Sequence, residues 1–173
     1  MRGLLAALLV LPVVARADFQ GRVVRVSDGD TVTVLRQGSQ GPEQVRVRLA
    51  SIDAPERRQA FGNRSRQHLA ELVFDRRVTV LEQGSDRYGR TIGVIEVDGG
   101  NANQQMVRAG LAWAYRQYLN DSVMLRLETQ ARRARRGLWA DDDAIAPWEY
   151  RRQQAARRKA EREAREGAAA ASQ

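Results

Sequence analysis

Three short runs between residues 19 and 49, in which β-branched or apolar residues alternate with polar ones, constrain the fold of this chain more than any other feature. The first covers residues 19–26 and the second 31–35, with Asp28-Gly29 between them, a pair suited to a tight hairpin turn. A Gly-containing loop over 37–42 leads to the third run, Gln44-Val45-Arg46-Val47-Arg48-Leu49. A period of two puts its valines and leucine on one face and Arg46 and Arg48 on the other.

After Pro55 the period changes. Leu69, Leu72 and Val73 stand at i, i+3 and i+4 and predict a helix over about 62–74. Residues 77–81 and 91–97 read as two further strands, the second ended by Asp98-Gly99-Gly100. A short helix through Met106 and Val107 stops near Gly110. A last one starts at Asn120 or Asp121, carries Met124, Leu127, Ala131 and Ala134 on one face, and ends at Gly137 as C′. Five strands with a helix between the third and fourth predict an α+β domain, a five-stranded OB-type β-barrel with three packed α-helices.

The ends of the chain have a different character. Arg2, the apolar stretch 4–14 and Ala15-Arg16-Ala17 form the three parts of a secretory signal peptide over 1–17, cleaved after Ala17. The stretch is shorter than the about 20 residues that a membrane-spanning helix needs, so the expected product is secreted or periplasmic, without stable membrane insertion. The folded domain is expected over 18–150. From Arg151 to Gln173 the composition is Arg, Gln, Ala and Glu. The pairs Arg157/Glu161, Lys159/Glu163 and Arg162/Glu166 at i, i+4 suit a solvated segment, helical or disordered.

Composition narrows the chemistry. The chain has 173 residues, a length suited to one domain, and no Cys, which excludes thiolate zinc sites, iron–sulfur clusters, disulfides and cysteine nucleophiles. A single His, His68, leaves no paired-histidine site. Any chemistry must rest on carboxylates, arginines and hydroxyls, with or without a hard metal ion. With 29 Lys+Arg against 21 Asp+Glu the net charge is +8, which calls for an anionic partner. Lys159 is the only lysine, and arginine forks phosphate bidentately, although GC-rich coding also produces such a composition. The charge is uneven: 151–173 holds seven Lys+Arg against three Glu, a net of +4. With Arg2 and Arg16 set aside, 18–150 carries only +2.

Three segments carry chemistry: Asp28-Gly29-Asp30-Thr31; Arg46-Val47-Arg48 followed by Ser51-Ile52-Asp53-Ala54-Pro55-Glu56; and Asp86-Arg87-Tyr88-Gly89-Arg90. Each alone is ordinary structure, namely a turn, a helix-entry loop and a hairpin connection. Together they suggest phosphodiester cleavage. Asp30 and Asp53 are hard oxygen ligands at strand ends, suited to Ca²⁺ or Mg²⁺. Arg48 and Arg90 supply guanidinium groups for a phosphate and its growing charge, and Glu56 stands where it can orient or deprotonate water. A carboxylate among cations is a weak base at neutral pH, so most of the acceleration falls to the metal and the arginines.

With Gly110-Leu111-Ala112-Trp113-Ala114-Tyr115 and Gly137-Leu138-Trp139 behind these motifs, the chain resembles the thermonuclease, or staphylococcal nuclease, family over about 19–139, and Pro147-Trp148-Glu149-Tyr150-Arg151 extends the likeness. The resemblance implies Ca²⁺-dependent hydrolysis of DNA and RNA, endo- and exonucleolytic, cutting the P–O5′ bond to leave 3′-phosphates and 5′-hydroxyls. It implies Asp30, Asp53 and the backbone carbonyl of Ala54 as Ca²⁺ ligands, Arg48 and Arg90 as phosphate clamps, Glu56 on the attacking water, and Tyr88 and Tyr115 against the nucleotide. It also implies a monomer acting on single-stranded or locally unpaired substrate. Ala54 stands where the best-known members have Thr, a change that a backbone ligand tolerates.

Two other readings stand beside this one. Some nuclease-like domains of eukaryotic proteins are non-catalytic nucleic-acid-binding modules that have lost the carboxylates and arginines; here all five are present, which favours catalysis. A basic protein acting on anionic lipid rests on charge alone. His68 is expected on the surface, Trp113, Trp139 and Trp148 in packing, Asp141-Asp142-Asp143 in solvent, and Asp28 in support of its turn.

Overall fold

The computed structural model describes residues 18–116 and 122–170. The predicted leader and the predicted helix start at Asn120 or Asp121 therefore lie outside the described residues. Strands β1 (Phe19–Asp28), β2 (Thr31–Gly38) and β3 (Gly41–Leu49) form an antiparallel meander, with Asp28 paired to Thr31 across a two-residue turn and Gly38 to Gly41 across the next. After β4 (Ile52–Asp53) and α1 (Gly62–Val73) come β5 (Arg77–Ser85), antiparallel to β1, and β6 (Thr91–Val97), antiparallel to β5. Parallel pairing of Val47–Leu49 on β3 with Thr91–Gly93 on β6 closes the sheet into a five-stranded barrel. The α+β, OB-type architecture is the expected one.

The period-two pattern explains the interior. Val23, Val32, Val34, Val47, Leu49, Val78, Val80 and Ile95 are buried together, and Leu69 and Val73 of α1 join the same core. Burial at this level contributes about 1.5–3 kcal/mol per large aliphatic side chain. Around the barrel lie β7 (Gly100–Asn101), α2 (Ala102–Arg108), β8 (Trp113–Ala114), α3 (Ser122–Arg133), a 3-10 turn (Gly137–Ala140) and α4 (Pro147–Ala170). The two-residue strands β4 and β8 pair with each other and are too short to show a period in sequence.

Two features differ from the sequence reading. The last core helix stops at Arg133, and its left-handed C′ residue is Arg135, at φ 50°, not Gly137. The amides of Arg135 and Arg136 donate to the carbonyls of Arg132 and Ala131, the reciprocal pair of a Schellman motif. Gly137 answers a different need: a side chain there would collide with the carbonyl oxygens of Gly110 and Ala109, where the two loops cross. Second, there is a fourth helix. Pro147 opens α4 at the position where a missing N–H costs nothing, and the helix runs without a break through the expected boundary at 150/151.

Asn103 fastens the barrel beside its closure. Its side-chain amide donates to the carbonyls of Ala50 and Gly93 at 2.9 and 3.2 Å, its oxygen accepts from the Ile95 amide at 3.0 Å, and it is fully buried. The Ala50 amide donates to the Gly93 carbonyl at the same place. These bonds fix the end of β3 and thereby the segment that carries the next acidic residue.

Candidate active site

Asp30 emerges from the β1–β2 turn, where its amide donates to the Asp28 carboxylate at 3.1 Å. Its side chain turns inward: Oδ1 accepts from the Thr31 hydroxyl at 2.9 Å and Oδ2 from the Ala54 amide at 3.2 Å. Asp53, on β4, is fully buried. Between them stands Arg48 of β3, its Nη1 3.1 Å from Asp30 Oδ2 and its Nη2 3.0 Å from Asp53 Oδ1. One guanidinium thus forks between two buried carboxylates that are 23 residues apart in sequence and come from different elements.

The electrostatics follow from that burial. Loss of water pushes Asp30 up to about 6; Arg48 opposes the shift and the neighbouring Asp28 adds to it. Arg48 is pulled down by burial, yet Asp30 and Asp53 hold it above the ordinary arginine value. Two buried carboxylates thus share one guanidinium from the barrel wall.

The other expected residues line the same cleft of about 1110 Å³. Arg90 is locked at the end of the β5–β6 turn: its Nε and Nη2 each lie 2.7 Å from Asp86 Oδ2, while Asp86 Oδ1 accepts from the amides of Tyr88 and Arg90. Against the upward push of burial, these bonds keep Asp86 below the usual carboxylate range. Tyr88 is 66% exposed, with the Arg87 guanidinium 4.9 Å from its ring centroid. Tyr115 is half-buried, and its amide donates to the Ser51 carbonyl. Glu56 sits on the loop after Pro55, where its amide donates to the Gln59 side-chain oxygen and the Gln59 amide group donates in turn to the Ile145 carbonyl. A side chain at Gly62 would strike the Glu56 carbonyl oxygen, so glycine permits this loop to close on α1.

Arg151 is the site residue that sequence reasoning missed. Its Nη2 lies 2.7 Å from Asp53 Oδ2, and its Nη1 lies 3.2 Å from Asp53 Oδ1 and 2.9 Å from Glu56. The readable signal was spacing: in a helix, Arg151 falls three residues after Trp148, on the same face. Trp148 packs edge-on against Trp113, their centroids 5.5 Å apart, and lies 5.7 Å from Tyr115. Trp139 is buried, as expected for a packing residue. His68 lies on α1 near Glu71, half-buried and outside this cleft. Asp141, Asp142 and Asp143 are exposed, with Asp142 paired to Arg135.

The donor set suits a hard divalent cation. Two buried carboxylates converge on Arg48, and a second cation of the chain itself, Arg151, already sits on one of them. Among the described residues no three His, Cys, Asp or Glu side chains converge, so a metal held here takes the rest of its shell from backbone, water or phosphate oxygens.

A closed barrel that carries paired carboxylates and placed arginines at one cleft suits a site for phosphate chemistry. The family model described as staphylococcal nuclease homologue matches residues 46–141, and the chain belongs to that family of nucleases. It is 49% identical to the micrococcal nuclease of Shigella flexneri over 85% of this chain and 88% of that one. It is 48% identical to protein ParB of Escherichia coli, over 88% and 90% of the two chains, and 42% identical to an uncharacterized endonuclease of Haemophilus influenzae, over 89% and 85%.

Proposed function

We propose that this chain is a Ca²⁺-dependent nuclease that hydrolyses DNA and RNA at the P–O5′ bond, leaving 3′-phosphates and 5′-hydroxyls. The observation that carries this reading is the Arg48 fork between Asp30 and Asp53 in the cleft shared with Glu56 and Arg90. Bound at Asp30, Asp53 and the Ala54 carbonyl, the cation would polarise a phosphate oxygen. Arg90, held rigid by Asp86, donates to the charge that builds on the phosphoryl oxygens, and Arg48 donates from the neighbouring strand. Glu56 accepts a hydrogen bond from the attacking water and orients it.

Tyr88 and Tyr115 line the cleft with aromatic faces that only an unpaired base can meet, which favours single-stranded or locally melted substrate. The reading includes a monomer exported by the leader 1–17 and acting outside the cytoplasm. Among the described residues no helix is long and apolar enough to cross a membrane. Incubation of the purified protein with single-stranded DNA and with RNA, in Ca²⁺, Mg²⁺ or chelator, tests the chemistry by end-group analysis. Ca²⁺-dependent 5′-hydroxyl ends are expected; 5′-phosphate ends, or full activity in chelator, overturn it.

A further inference from the structure

The guanidinium of Arg151 occupies the carboxylates that the proposed reaction needs. Asp53 Oδ1 accepts from both Arg48 and Arg151, and Oδ2 accepts from Arg151. A carboxylate gripped through both oxygens by one guanidinium has given up the lone pairs that face its open side. A divalent cation brought to the same side also meets the positive charge of Arg151 at contact range. Glu56 is held by the same group, so its oxygen is committed to Arg151 while that group is docked.

The two arginines on Asp53 are not equivalent. Arg48 comes from the end of β3, where the strand is paired with β2 on one edge and β6 on the other. Arg151 comes from a helix whose following residues are almost all exposed, and its own side chain is 44% exposed. It is the guanidinium that can leave without cost to the barrel.

We propose that Arg151 is a built-in competitor for the divalent cation at Asp53: docking of its guanidinium on Asp53 and Glu56 and binding of the metal exclude each other. This inference rests on the reading of Asp30 and Asp53 as cation ligands. Docked, Arg151 holds the two carboxylates in place as a surrogate cation. Displaced, it releases Glu56 to water and stands on the cleft wall as a third guanidinium for phosphate. The apparent affinity for metal is then the intrinsic affinity reduced by the fraction of molecules in which Arg151 is undocked. Reciprocity requires the metal to weaken the docking of Arg151, one of the ties at the start of α4, by the same factor.

Calorimetric titration of the full chain with Ca²⁺, without substrate, tests this directly. Arg151→Gln is expected to bind Ca²⁺ about tenfold more tightly than the parent at unchanged stoichiometry, and Arg151→Lys, which cannot grip both oxygens, is expected to fall between. Parental or weaker affinity in Arg151→Gln overturns the competition while leaving the cation reading intact. Failure of both the parent and Arg151→Gln to bind Ca²⁺ overturns the cation reading and the inference with it. Amide hydrogen exchange of the unmodified protein gives a second measurement that needs no variant. Ca²⁺ is expected to speed exchange severalfold over residues 151–156; slower or unchanged exchange there counts against displacement.

Discussion

Arg48 and Arg151 bring the same chemical group to the same carboxylate from opposite kinds of structure. Arg48 belongs to a strand paired on both edges, and its partners Asp30 and Asp53 have almost no contact with water. Arg151 belongs to a helix that touches the barrel near its start, through Trp148 and its own guanidinium. The first pairing is part of the fold, because removing it strands two desolvated charges. The second is a contact that the fold survives losing. A site built this way has a fixed wall, formed by the barrel, and a replaceable one, formed by α4.

The comparison breaks most sharply at Arg48. Arg48→Ala is expected to abolish cleavage and to cost about 3 kcal/mol of stability in urea unfolding, since two buried carboxylates lose their shared partner. Arg151→Gln is expected to stay within about 1 kcal/mol of the parent, as for other half-exposed pairs. Equal losses in the two variants would erase the distinction between the walls. Next in size, Arg90→Ala and Glu56→Gln are each expected to lower kcat by about 10²–10³-fold with little change in the unfolding midpoint. Near-parental activity in either purified variant removes that residue from the reaction.

Asp30 sharpens the comparison through pH. Its folded value, about 6, lies above the ordinary aspartate value of 3.8, so between these limits the folded chain binds more protons than the unfolded one. Its contribution therefore erodes stability as pH rises from about 4 to 6, by an amount on the order of 2–3 kcal/mol, and the loss persists above that range. The stability difference between the parent and Asp30→Asn, measured without divalent cations, is expected to shift against the parent over that interval; a flat difference contradicts it. The smallest effect belongs to the far end of α4. Deleting 157–173 spares Trp148 and Arg151 and is expected to raise KM by less than about threefold at low salt, with no change at high salt.

Much of this was legible in the sequence because it rests on local chemistry. Alternation revealed the five long strands, Asp28-Gly29 marked the hairpin, and the motifs around Asp30, Arg48, Asp53, Glu56 and Arg90 pointed to one cleft, which all but the deeply buried Asp53 line and Asp53 reaches through its bond to Arg48. Arg151 left only the weak signal of its spacing from Trp148, because it is one cation among 29 and its partner lies 98 residues earlier in the chain. Asn103 was hidden for a similar reason: its three partners are backbone groups, which leave no trace in side-chain patterns. The helix end at Arg135 escaped because Gly137, two residues on, offered the usual terminator while serving a loop crossing instead.

Closure of the barrel by β3 and β6 is, with β1–β5, one of two long-range pairings on which assembly of the site depends. That pairing joins residues more than 40 apart, and Asn103 can bridge Ala50 and Gly93 only once it has formed. Helices and the first hairpin involve near neighbours and form early, whereas a contact at this separation must wait for a large loop to close. A partly folded chain carries every motif residue without assembling them. In refolding from urea, activity is expected to return later than helical circular dichroism, in step with protection of the Gly93 and Ile95 region. Together with the β1–β5 pairing, whose partners lie more than 50 residues apart, the β3–β6 seam is expected to bring the carboxylates and arginines together only after the local elements are in place.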